Sequence, residues 1–330
     1  MAPTVPPDPT GSAHEVVCLG RSGVDIYPLQ GGVGLDLVRT FGKFLGGSPT
    51  NVAVAAARLG RRTALVTRVG EDPFGDFVRA QLIGFGVDDS YVRTAPGAQT
   101  PVTFCELFPP DQFPLYFYRP GDPPDLTITA DEIPADLARG AGVLWATLSG
   151  LSAEPSRTAH LAAWAARGRR RHTVLDLDYR ADFWPGHAPE TRAGEQARAG
   201  LEHASIAVGN LAECRVAVGE DDPARAARAL LDHGVEVAVV KCGPAGVLAA
   251  TCEEVVSVPA LDVRVVNGLG AGDGFGGALC HGLLSGWSLP DMLRFAGAAG
   301  ALVATRLECA AAMPTAAQVE ALLAAAASHP

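Results

Sequence analysis

The strongest constraint on this chain is an alternation. From residue 15 onward, short apolar runs of strand length recur between longer, mostly alanine-rich segments. The runs are "EVVCLG" (15–20), "TALVTRVG" (63–70), "GVLWATL" (142–148), "HTVLDLD" (172–178), "ASIAVGN" (204–210) and "EVAVVKCG" (236–243). Near-continuous hydrophobicity means burial on both faces of the pleat, and such strands belong to mainly parallel sheets covered by helices. Between them, "SPTNVAVAAARLG" (48–60) predicts a helix with Ser48 as N-cap, Pro49 in the first turn and Gly60 at its end. A second helix is predicted over "DPFGDFVRAQLIGFG" (72–86). The expected fold class is therefore α/β in three layers, α/β/α, around a mainly parallel central sheet.

Two stretches break the rhythm. "TPVTFCELFPPDQFPLYFYRP" (100–120) is aromatic and β-branched around a Pro-Pro-Asp turn, which predicts a β-hairpin projecting from the body. The segment from Asp25 to Phe44 also lacks a helical pattern and can pair with it, so parts of 25–44 and 100–120 are expected to form a small β lid. After residue 270 the chain reads as helical, over 271–286, 289–306 and 315–328. No internal repeat or long linker interrupts residues 15–330, which read as one domain. The proline-rich lead-in over 1–14 is expected to be disordered.

Composition removes several functions. The formal net charge is −10, and the one basic run, "RGRRRH" (167–172), reads as a solvated helix end, so no nucleic-acid partner is expected. Seven cysteines without a CxxC pair and eight histidines without HExxH offer neither a disulfide framework nor a zinc site. No stretch has the length and apolarity of a membrane span, and the N-terminus lacks a signal-peptide pattern, which together point to a cytoplasmic protein with no membrane partner.

The region richest in chemistry is "VRVVNGLGAGDGFGGALCHGLL" (263–284), where six of the ten residues 268–277 are glycine and Asp273 stands among them. "VRVV" reads as a strand and the chain from Ala271 as a helix. A helix start presents unpaired N–H groups and the positive end of the dipole, and glycines let a ligand approach them, so the turn reads as an anion site. Gly272, Gly274 and Gly277 match GxGxxG, but only helices follow where a dinucleotide fold needs another strand. A Walker loop is excluded, because Gly-Lys-Ser and Gly-Lys-Thr are absent. Two readings of Asp273 remain, a working base beside a phosphate or a simple helix cap.

"GLGAGDGF" resembles the GAGD signature of the ribokinase-like (PfkB-type) carbohydrate kinases. In that family the aspartate takes the proton of the accepting sugar hydroxyl, and the turn amides hold the charge on the transferred phosphoryl group. The resemblance implies Asp273 as base and Gly270, Ala271 and Gly272 as anion hole. "GGSPTNVAVAAARLG" resembles the family's other signature and implies Gly46, Gly47 and Asn51 as sugar contacts. "GRSGVDIYP" (20–28) implies Asp25 on the sugar hydroxyls, "NLAE" (210–213) implies Asn210 and Glu213 near Mg2+ and the phosphates, with Glu213 acting through water, and "KCGPAG" (241–246) implies Lys241, Gly243 and Gly246 beside ATP. These matches occur in family order over residues 15 to about 315. Where many members have Asp-Thr, near a monovalent-cation site in some of them, this chain has Asn267 and Gly268, which leaves such a cation open.

The family resemblance implies a ribokinase-like fold, ATP and Mg2+, and a small-molecule sugar as substrate. "VLDLDYRADFW" (174–184) and "LYFYRP" (115–120) resemble the sugar-acid kinases within it and point to Arg180 and Arg119. Arg180 follows a predicted strand end, where open parallel sheets bind ligands, and a guanidinium there suits a carboxylate, with a structural salt bridge as the alternative. The expected reaction is phosphorylation of the 6-hydroxyl of a keto-deoxy sugar acid. Phosphorylation of 2-keto-3-deoxygluconate, a fructokinase-like activity and a catalytically silent sugar- or nucleotide-binding regulator stand as alternatives. By analogy, the lid strand can pair with a second subunit in a homodimer.

Overall fold

The computed structural model describes residues 13–170 and 172–327. In chain order, β1 (Val16–Leu19) and β2 (Gly23–Pro28) lead to β3 (Phe41–Gly46), α1 (Ser48–Arg58), β4 (Thr63–Gly70) and α2 (Pro73–Gly84). There follow β5 (Val87–Asp88), β6 (Val92–Ala95), β7 (Val102–Cys105), β8 (Leu115–Tyr118), α3 (Ala135–Gly140), β9 (Val143–Thr147), α4 (Ser156–Arg167) and β10 (Thr173–Asp176). Next come α5 (Pro189–Leu201), β11 (Ile206–Asn210), α6 (Leu211–Val218), α7 (Pro223–Asp232), β12 (Val237–Lys241), β13 (Val247–Ala250) and β14 (Val255–Val258). The last three elements are helical, α8 (Ala271–Ser285), α9 (Leu289–Ala304) and α10 (Ala316–Ala327).

The large sheet runs β14-β13-β12-β11-β10-β9-β1-β4-β5, with β6 also on β4. From β12 to β5 every pairing is parallel, so the carboxyl ends of β1, β9, β10, β11 and β12 line one edge. Alternate side chains enter two cores. Val16, Cys18, Trp145 and Val208 pack with α1, α2, α8, α9 and α10, whereas Val17, Leu19, Leu144 and Ala207 pack with α3 to α7. This is the three-layer arrangement that the apolar runs predict. The projecting hairpin is present too. β7 and β8 pair antiparallel, β7 pairs with β2 and β2 with β3, giving a separate four-stranded sheet in the order β3-β2-β7-β8.

Three local expectations need correction. Residues 263–266 are not a strand. The sheet instead ends in the antiparallel hairpin β13–β14, closed by a turn in which Thr251 N–H donates to Glu254 O, and the Val266 and Asn267 amides bond to the Ala304 carbonyl rather than to a ladder. Ser48 is not an N-cap: Gly47 holds that position, at φ 107°, and Ser48 begins the helix. The basic run does not begin in solvent either, because Arg167 is buried and donates to the carbonyls of Ala138, Ala141 and Gly142. The expected lead-in over 1–14 falls mostly outside the described residues, and its last residue, His14, pairs with Asp88 at 2.8 Å.

Candidate active site

Gly270 caps α8 at φ 79° with no side-chain cap, and an added Cβ there would press on Cys309 at 2.8 Å. The amides of Gly272 and Asp273, in the first turn, have no intrahelical acceptor. Asp273 does not cap its own helix. Both oxygens instead accept from α1, Oδ1 from Ser48 Oγ at 2.7 Å and Oδ2 from Asn51 Nδ2 at 2.8 Å. Helices α1 and α8 lie close enough for this because Gly277 has no Cβ to overlap Ala55. Burial raises the Asp273 pKa, and the bonds from Asn51 and Ser48 oppose that without cancelling it. The result is an oriented carboxylate, more basic than usual, beside free helix amides.

Lys241, at the end of β12, places its ammonium over the same turn: a Cβ on Gly272 would stand 3.3 Å from Lys241 Nζ. Nζ also lies 3.8 Å from Asp176 Oδ1 at the end of β10. Burial alone would lower the Lys241 pKa, but Asp176, Glu213 and Asp273 outweigh it and hold the group charged. Asp176 is itself raised, by burial first, and its Oδ1 is buried without a hydrogen-bond partner. Asn210 and Glu213 form a reciprocal capping box on α6, with Asn210 N–H donating to Glu213 Oε2 at 2.7 Å and Glu213 N–H to Asn210 Oδ1 at 2.9 Å. Their spacing therefore has a structural use besides any ligand role. Gly243 (φ 56°) and Gly246 (φ 95°) make the turn from β12 to β13. Asn267, at the position where some members bind a monovalent cation, is fully buried and donates to Leu307 O at 2.7 Å.

On the other side, Asp25 in β2 accepts from Tyr27 Oη at 2.6 Å. Burial pushes its carboxyl up to about 6, although Tyr27 and Arg21 pull it down. A Cβ on Gly46 would collide with this carboxylate, and one on Gly47 would meet the Arg21 carbonyl at 2.5 Å, so both glycines allow α1 to begin close against Asp25 and Arg21. Arg180 donates toward Asp178 Oδ1 at 2.8 Å. Arg119 grips Asp125 through both oxygens at 3.0 and 2.9 Å and lies over the Phe183 ring at 4.5 Å. Burial would raise Asp178, yet Arg180, Arg21 and Lys241 hold it below the ordinary carboxylate range.

The structure thus brings Asp273, Asn51 and Lys241 together around the turn, and adds Ser48, Asp176, Asp178 and Arg21, which the sequence reading missed. Arg21 was findable, since it follows the end of the apolar run "EVVCLG" much as Arg180 follows "VLDLD". Gly243 and Gly246 are placed at a tight turn, with no contact of their own to the Asp273 carboxylate.

Known proteins share this arrangement of sequence and fold. A family description, "pfkB family carbohydrate kinase", matches residues 13–316. The 5-dehydro-2-deoxygluconokinase of Clostridium beijerinckii is 31% identical over 308 residues, 91% of this chain and 90% of that protein. The protein of the same name from Listeria monocytogenes is 30% identical over 94% of this chain and 96% of its own. Among solved structures, a putative ribokinase II from E. coli in complex with ATP and Mg2+ superposes with a TM-score of 0.85 at 22% identity, covering 94% of this chain and 99% of that one. A Vibrio cholerae fructokinase double mutant bound to fructose, ADP and potassium superposes at 0.82 with 26% identity, over 94% and 99%. With the family description spanning nearly all described residues and the 5-dehydro-2-deoxygluconokinases matched over more than nine-tenths of its length, the chain is a carbohydrate kinase and belongs to the pfkB family.

Proposed function

We propose that this kinase transfers the γ-phosphoryl group of ATP to the 6-hydroxyl of 5-dehydro-2-deoxy-D-gluconate. The observation that carries the acid substrate is the cluster of guanidinium groups Arg21, Arg119 and Arg180, the first two largely buried and Arg180 37% exposed, with Asp125 bonded to Arg119 and Asp178 to Arg180. A neutral ketose offers no ion-pair partner to a guanidinium that bonds no aspartate, whereas a carboxylate does. The names of the relatives at about 30% identity agree with that reading. The 2-keto-3-deoxygluconate and fructose readings are separated from it by the experiment below.

In this reading Asp25, in β2, accepts from hydroxyls of the open-chain substrate and orients it. Asp273 takes the proton of the 6-hydroxyl as O6 attacks the γ-phosphorus and the bond to the β–γ bridging oxygen breaks, releasing ADP. Charge on the transferred group falls on the amides of the 270–272 turn and on Lys241. The donors fit Mg2+ held through water: Asp176 Oδ1 is buried without a hydrogen bond, 3.8 Å from Lys241 Nζ, Glu213 is its neighbour, and among the described residues no three acids, histidines or cysteines form a cage for a bare ion. Asn210, Glu213 and Asp176 would hold its water shell, and the ion would neutralise phosphate charge there. The four-stranded sheet acts as a lid that excludes water from the transfer. Its outward face exposes Phe41, Tyr116 and Tyr118, which supports pairing with a second copy.

An ATP-consumption screen over keto-deoxy sugar acids and neutral ketoses tests the reading, with 31P NMR to locate the new phosphate. 5-Dehydro-2-deoxy-D-gluconate should be preferred over 2-keto-3-deoxygluconate and carry the phosphate on O6, and a higher kcat/KM on 2-keto-3-deoxygluconate would move the assignment to that acid. Equal kcat/KM on fructose, or no turnover of any acid, would sink the substrate assignment and leave the kinase assignment standing.

A further inference from the structure

The three guanidinium groups of the sugar side are not equivalent. Arg119 is committed to Asp125, which it holds through both carboxylate oxygens. Arg180 is committed to Asp178 Oδ1 at 2.8 Å. Arg21 has neither. Its nearest carboxylate oxygen, Asp178 Oδ2, lies 4.0 Å away, beyond hydrogen-bond reach, and that oxygen is itself buried without a partner. Arg21 Nε is likewise buried and unpartnered, as are Arg119 Nη1 and Arg180 Nε. Only 11% of the Arg21 side chain is exposed, and the group lies against the rings of Phe117 at 5.6 Å and Phe183 at 5.3 Å. Asp25 is the other acid that acts on it, but no ion pair joins the two among the described residues.

Two of the three arginines thus each bond an aspartate, and Arg21 is the one that bonds none. We propose that Arg21, rather than Arg180, grips the carboxylate of the sugar acid, while Arg180 is a positioning residue that holds Asp178. The proposal deepens the sugar-acid reading and rests on it. Place and rigidity both favour Arg21. It follows β1, which pairs with β4 on one side and β9 on the other, so the direction of the strand order changes there, the position at which open parallel sheets bind ligands. Its backbone is anchored, since its carbonyl accepts from Thr50 Oγ1 at 3.1 Å and is backed by Gly47. Phe117 comes from β8, so closure of the lid sheet over the ligand would also dry the guanidinium–carboxylate contact and strengthen it.

The test is steady-state kinetics of full-length Arg21→Met and Arg21→Lys on 5-dehydro-2-deoxy-D-gluconate and on the same molecule with its carboxylate converted to the uncharged amide. For Arg21→Met the KM of the acid should rise about ten- to a hundred-and-fifty-fold, the usual effect of losing a charge-assisted hydrogen bond, while the KM of ATP and the kinetics on the amide change by less than about threefold. Arg21→Lys, which keeps charge but not the fork, should recover part of the loss. Equal losses on acid and amide, or an unchanged KM for the acid, overturn the proposal. If Arg21→Met fails to fold, the lysine variant decides, because parental KM for the acid in that protein also overturns it. A parent enzyme that turns over no sugar acid refutes the substrate reading and this inference together. A parent that does, with Arg21 variants unaffected, refutes only the inference.

Discussion

Asp273 and Asp178 are two carboxylates in one cleft, the first half-buried and the second buried, with opposite shifts. Asp273 is held by two neutral donors, Ser48 and Asn51, and its pKa stays raised. Asp178 is held by Arg180, with Arg21 4.0 Å away, and its pKa is lowered. Neutral donors orient a carboxylate without cancelling the desolvation that makes it basic, whereas guanidinium groups overwhelm desolvation and lock it ionised. The first environment suits a group that must accept a proton, the second a counter-ion that must never do so. Asp178 therefore contributes no limb to a rate–pH profile above the ordinary carboxylate range. Asp273 should set one.

The most severe way to break this contrast is Asp273→Asn. The amide preserves shape and can still meet Ser48 and Asn51, but it cannot take a proton. Turnover should fall about a hundred- to ten-thousand-fold, the usual range for a positioned general base. Equilibrium titration with ATP should show binding retained. Turnover within a few-fold of the parent would show that Asp273 only organises the helix start.

Glu213→Gln probes the nucleotide side. Glutamine keeps an acceptor for the Asn210 amide, so the α6 cap survives, while the negative charge beside Asp176 is lost. The Mg2+ concentration for half-maximal rate should rise about ten- to a hundred-fold, the range for outer-shell groups of a metal. An unchanged Mg2+ titration would restrict Glu213 to capping.

These two residues were legible in the sequence because each sits in a short local motif at the start of a helix. On the opposite side Asp25, Arg119 and Arg180 were named from motifs, but Arg21 and Asp178 were not. These two lie at the end of β1 and in the segment after β10, and only the pairing of strands distant in sequence brings them together with Arg119 at the end of the projecting hairpin. Ser48 was misread for a related reason. Its place before an apolar run matches a cap, but the glycine before it takes that position and frees its hydroxyl for a residue 225 positions away. The valine-rich 263–266 was misread because β-propensity does not say where a segment's backbone bonds go, and here the Val266 and Asn267 amides go to the Ala304 carbonyl at the end of α9.

Ser48→Ala sharpens the first half of the comparison. It removes one neutral donor and leaves Asn51 in place. Losing an uncharged-donor bond of about 0.5–1.5 kcal/mol predicts a two- to ten-fold fall in kcat, roughly. Because that bond lowers the Asp273 pKa, the acid limb of kcat should move to higher pH. A loss confined to KM for ATP, with the limb unmoved, would detach Ser48 from the base.

The smallest effect is expected from Tyr27→Phe, which acts on a carboxylate between the two extremes. Asp25 has one neutral donor, the Tyr27 phenol, and one cation within electrostatic reach, Arg21, and burial leaves it at about 6. If ionised Asp25 is what receives the sugar hydroxyls, kcat/KM for the sugar should climb as pH rises through about 6. Deleting the phenol removes an interaction that lowers this pKa, so the climb should begin at higher pH. At pH 8, where Asp25 is ionised in both proteins, the variant should stay within a few-fold of the parent. The phenol also meets Cys309 Sγ at 3.0 Å, behind the Gly270 turn, so a purely structural role is a real competitor. Such a role predicts a uniform loss at every pH with the limb in place. A limb that moves while the high-pH plateau holds can come only from a titrating group that Tyr27 touches, and Asp25 is the carboxylate it donates to.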